Sequence, residues 1–267
     1  GRDGFDPIRQ QSGDDGGDAF GGASESDQTL FDGQGHTIAG LTVDQPDEPF
    51  VGIFAITGKF DGGSSDLGKG STIENLVIED IDLHGQTVVG GVAGGGGGTF
   101  SRISVSGTIK SEYQQVGGIV GHGHDADMRN ELVSTATVTG NYPASIDDAH
   151  PWQNGYSGPN LGIGGILGGT GFETEVSTAY SRADVSGPSS VGGVTGWTSN
   201  FDSTLEQMYH ADGNVQRQGT IEVFDETGRS PKSGNVSDVE AGGLIGRIGE
   251  GSTDTIENSV YSPGIPV

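Results

Sequence analysis

The densest gathering of metal-ligating side chains is His122, His124, Asp125 and Asp127. In an extended segment, residues two apart point the same way, so the two imidazoles can share one side with carboxylates close by. The same spacing also describes a solvated corner loop, and both readings stand. Asp14, Asp15 and Asp18 form a second acidic group, and Asp147 with Asp148 a third. A hard cation such as Ca2+ takes roughly six to eight oxygens at about 2.3 to 2.6 Å, to which these carboxylates would contribute. None of them fits an EF-hand loop or the Gly-Gly-x-Gly-x-Asp calcium repeat.

Carboxylates also suggest hydrolysis, which needs two of them about 5 to 9.5 Å apart. With 37 Asp and Glu residues, such a pair arises by chance and identifies nothing. Lyase action on uronate polymers wants clustered cations, yet the basic residues from Lys59 to Arg247 are scattered. Against those 37 acids stand 12 Lys and Arg, giving a formal charge of −25. That field repels nucleic acid and other polyanions. An acidic chain with so few lysines suits very high salt, where the screening length falls to about 3 Å at 1 M. An acidic secreted protein that binds divalent cations is the plainer alternative. There is no Cys, which excludes disulfides and Cys-based zinc sites. No stretch approaches the length of an apolar membrane span, and no signal peptide is present, so a secreted protein would be a mature form or an excised piece.

What must position these residues is a repeated phrase, apolar-Gly-Gly-apolar-apolar-Gly. It begins at Val89, Val116, Ile163, Val191 and Ala241, with a looser copy at Val51-Gly52-Ile53-Phe54. A second phrase closing on x-Val-x-Gly trails most copies, as in Ile103-Ser104-Val105-Ser106-Gly107, Thr137-Val138-Thr139-Gly140 and Ala183-Asp184-Val185-Ser186-Gly187. Ile73-Glu74-Asn75 and Ile256-Glu257-Asn258 open two further stretches of this kind. Two linked phrases at such a period are the mark of stacked repeats. Short runs of alternating Val, Ile and Leu bounded by Gly, without a helical period, predict parallel strands. Ile119, Val120, Ile166, Leu167, Val194, Leu244 and Ile245 are the expected packing residues. The 52 glycines are expected where a Cβ would clash at tight corners.

The phrase starts are separated by 27, 47, 28 and 50 residues, from the positions 89, 116, 163, 191 and 241. The excess falls in one phase, in residues 141–161 and 219–240, so two long loops are expected on one side of the repeat stack. The first carries Tyr142, Asp147, Asp148, His150, Trp152 and Tyr156, and the second Phe224, Asp225, Glu226 and Arg229, all candidate binding residues. Asn235-Val236-Ser237 in the second loop is a glycosylation acceptor triplet.

Asp32-Gly33-x-Gly35-His36-Thr37-Ile38-x-x-Leu41-x-Val43, followed by Val51-Gly52-x-Phe54 and the Val-Gly-Gly units, resembles the GLUG-repeat proteins. These are secreted or surface-attached chains of adhesin-like architecture. The resemblance covers roughly residues 29–262 and implies a right-handed parallel β-helix, an all-β solenoid, without implying catalytic residues. Long insertions and acidity depart from that pattern.

The expectation is an acidic, Gly-rich arm or cap over residues 1–28 and a β-helix over 29–267. Its function would be structural or adhesive, outside the cell or on its surface, with cell-surface glycans or proteins as partners. The alternative is a glycoside hydrolase or lyase on the same scaffold. The arm could fold over the first repeat or reach a neighbouring copy, and an apolar last repeat suggests head-to-tail association into a filament. A following domain of a longer chain would cover that end instead.

Overall fold

A computed structural model of the chain describes residues 5–8, 20, 29–58, 71–113, 115–141, 162–171, 173–188, 190–198, 203–217, 241–248 and 255–262. Among these residues every regular element is a β-strand, and no helix is present. The strands form a sheet of 17 and a smaller sheet of six. Their pairings are parallel.

The double-glycine phrase builds the smaller sheet. Val89 pairs with Val116, Val116 with Ile163, Ile163 with Val191 and Val191 with Ala241, and the first glycines follow in register. The partners are thus consecutive copies, taken in sequence order. The two longer spacings do not disturb this register. A loop of some twenty extra residues costs little more closure entropy than a short one, because the cost grows only with the logarithm of length.

Glycine is required here by crowding. A Cβ on the first glycine would strike the carbonyl three residues on, as Gly117 would strike that of Val120 and Gly164 that of Leu167. On the second it would strike the second glycine of the next copy, Gly118 against Gly165 and Gly165 against Gly193. The third meets the copy before, Gly121 against Gly94 and Gly168 against Gly121. The chain turns sharply at this point without losing its ladder. Ile119 donates its N–H to the Ile166 carbonyl at 2.9 Å, and Ile166 donates to Val194 at 2.9 Å.

Apolar residues stack in like columns across the larger sheet. Ile73, Phe100, Met128, Val176 and Leu205 are successive partners, and so are Leu76, Ile103, Leu132, Ala179 and Met208. All ten lie in the main core. Ile119, Val120, Ile166, Leu167 and Val194 are buried as expected, and Leu244 and Ile245 pack half-buried against them.

The two columns are separated by a corner the sequence did not announce. Between Ile73 and Leu76 the chain passes through Asn75 at φ 54°, and the equivalent residues are Arg102 (52°), Thr178 (57°) and Gln207 (49°). A left-handed residue inserted into a strand bends it and returns the next apolar residue to the core face. Asn258, in the second Ile-Glu-Asn stretch, adopts φ 50° at the same phase, since Ile256 pairs with Leu205.

The x-Val-x-Gly phrase proves to be two positions rather than one. Thr137–Gly140 pairs with Thr108–Ser111, whereas Ser104 and Val105 pair with Val77 and Ile78. The Gly107 copy therefore lies one phase earlier around the repeat, on the same strand as Thr108–Ser111. Alternation with period two marks a strand but not which strand of the repeat it is.

The first described strand of the repeats is Thr29–Asp32, and residues 5–8 and 20 lie along the first repeat. Ile8 bridges Phe54 and Phe20 bridges Thr57, both in parallel. Phe5 donates its N–H to the Thr42 carbonyl at 3.0 Å, and Gln45 donates to the Asp6 carboxylate at 2.9 Å. The Phe20 ring sits 4.6 Å from Phe54 and 6.5 Å from Phe31. Phe5, Ile8 and Phe20 therefore lie along their own chain's first repeat and satisfy backbone groups of its edge there.

Candidate functional site

Of the residues singled out in the sequence, only the histidine group falls where side chains are described. Asp14, Asp15, Asp18, Asn235 and all ten loop residues, Tyr142, Asp147, Asp148, His150, Trp152, Tyr156, Phe224, Asp225, Glu226 and Arg229, lie outside the described residues. The points where the two loops leave and return are described. Thr139 pairs with Ser186, Gly187 pairs with Arg217, and the chain re-enters the small sheet at Ile163 and Ala241.

His122, His124 and Asp125 are buried, not solvated. They follow Gly121 directly, so the crowded glycine corner carries them inside. The two imidazoles stand 6.5 Å apart between ring centres, and His124 Nδ1 lies 3.5 Å from Asp125 Oδ2. Asp127 turns away and pairs with Arg129 at 2.8 Å. Among the described residues no three His, Cys, Asp or Glu side chains are gathered so as to hold a metal ion. The structure does not bring these four together as a coordination set. Burial, reinforced by the neighbouring His124, pushes the His122 imidazole down to about 3. His210, buried against Ser181 and the Gly213 carbonyl, is lowered by the same desolvation.

A second constellation, missed in the sequence, ties three neighbouring strands. His84 lies 2.9 Å from Asp44 and 2.6 Å from Glu112, and Lys110 reaches Glu112 at 2.8 Å. The lysine hydrogen bond, with help from His84, holds the Glu112 carboxyl below its ordinary range. The partners of His84 lie 26 to 40 residues from it in sequence, so only the strand register could have revealed them.

The third is the left-handed corner itself. Asn75 donates to Asp32 at 2.8 Å, and Arg102 donates to Asn75 and to Glu74. The Asn75 bond and the Gln34 N–H lower the Asp32 carboxyl. Here an open groove of about 540 Å³ is lined by Asp32, Gln34, Asn75, Leu76, Val77 and Arg102. Outward-facing residues run on from Val77 in unbroken register through Ser104, Val133 and Tyr180 to Tyr209. Tyr209 is 40% exposed. A glycosidase needs one carboxyl raised as its acid. Asp32 and Glu112 are both shifted the other way.

No family model matches the chain, so the likeness to GLUG repeats rests on the quoted residues alone. No solved structure matches it either. Over 118 residues the chain is 31% identical to halomucin of Haloquadratum walsbyi. The match takes in 44% of this chain and 1% of halomucin, so the chain spans about a hundredth of that relative's length. Among the described residues no helix is long and apolar enough to cross a membrane.

Proposed function

We propose that this chain is a non-catalytic, salt-adapted surface protein whose repeats wind into a right-handed parallel β-helix displayed outside the cell. One observation carries the reading: consecutive copies of the glycine phrase pair in sequence order and in register, through both long spacings. A parallel partner about one repeat away needs a connection that returns to the same end of the sheet, which a helical winding supplies. A formal charge of −25 and the partial likeness to halomucin support a saline, extracellular setting. The rigid stack would hold the two insertions at one phase for contact with cell-surface glycans or proteins. Head-to-tail contact between copies is a second mode of the same proposal. Because Phe5, Ile8 and Phe20 lie along their own first repeat, such contact would need them to be displaced or the other end to be used.

Antibodies against the folded chain test the location. Labelling of intact, unpermeabilised source cells is expected, and signal appearing only after lysis contradicts it.

A further inference from the structure

We draw no further inference here: the strongest candidate, the side-chain cluster of Asp44, His84, Lys110 and Glu112 that ties three neighbouring strands of the larger sheet, is a set of ion pairs closed on itself, and nothing in the structure shows a ligand or partner that it would hold.

Discussion

At the glycine corner, backbone carbonyls of neighbouring repeats approach so closely that Gly118 and Gly165 have no room for a Cβ. At the left-handed corner the constraint falls on φ, and the side chain leaves for solvent. Asparagine, arginine, threonine and glutamine all occupy it, at Asn75, Arg102, Thr178 and Gln207. A steric demand at the backbone admits one residue type and leaves a phrase that can be read. A torsional demand at the surface costs on the order of 1–3 kcal/mol per residue but admits many types. That corner is silent in sequence.

The largest test of this contrast is a pair of substitutions. Gly165→Ala places a methyl against the Gly193 carbonyl and the Ser181 hydroxyl and should cost about 4 kcal/mol or prevent folding. Gln207→Gly, at the other corner, should change stability by less than about 1 kcal/mol and in the favourable direction. Chemical denaturation of both variants checks this. Equal losses would erase the distinction.

Protons should act on the buried corner. His122 holds its imidazole neutral to about pH 3, against roughly 6.5 in an unfolded chain. Between those values the unfolded chain binds the extra proton. Stability is therefore complete above pH 6.5 and falls by roughly 1 kcal/mol per pH unit as the pH drops towards 3. His122→Gln should flatten that slope, whatever its effect on the level. An unchanged slope in urea titrations from pH 6.5 to 4 would contradict the burial described.

Salt should act on the exposed corner. Glu206 and Glu257 are direct partners on adjacent strands, a like-charge pair that destabilises. In dilute buffer Glu206→Gln should gain about 0.5 kcal/mol, and in molar salt the gain should vanish as screening shortens to about 3 Å. The parent's thermal midpoint should rise over the same range, since its net charge is −25. A midpoint indifferent to salt would count against the adaptation proposed.

Parallel strands, the double-glycine repeat and the buried apolar residues were all legible, because each rests on backbone crowding or on apolar alternation. Three features were not. His122 and His124 read as metal ligands on spacing alone, while the neighbouring glycines that carry them inside gave no hint of direction. The Asp44–His84–Glu112 set depends on register between strands, and its members are 28 and 40 residues from His84. The Tyr180–Tyr209 pair likewise depends on register. Strand alternation marks inside and outside, but it leaves unstated which outward residues become neighbours.

A further effect concerns Thr178, a β-branched residue at φ 57°, the least suited of the corner residues to that conformation. Thr178→Gly should raise stability by about 1 kcal/mol, seen as a midpoint higher by roughly 2 to 4 °C. A fall would mean that its hydrogen bond to Gln207 outweighs the torsional cost.

Register through every repeat is the claim on which the rest depends. Thr72, Thr99, Asp127, Glu175, Thr204 and Thr255 are successive partners. Thr72 and Thr255 are therefore five strand spacings apart, about 24 Å, with both insertions between them in sequence. The chain has no Cys, so spin labels attached through Thr72→Cys and Thr255→Cys report on that pair alone. Pulsed electron resonance should give a narrow distance distribution centred within several ångströms of about 24 Å. A broad distribution, or one centred beyond roughly 40 Å, would show that the repeats do not stack in one column.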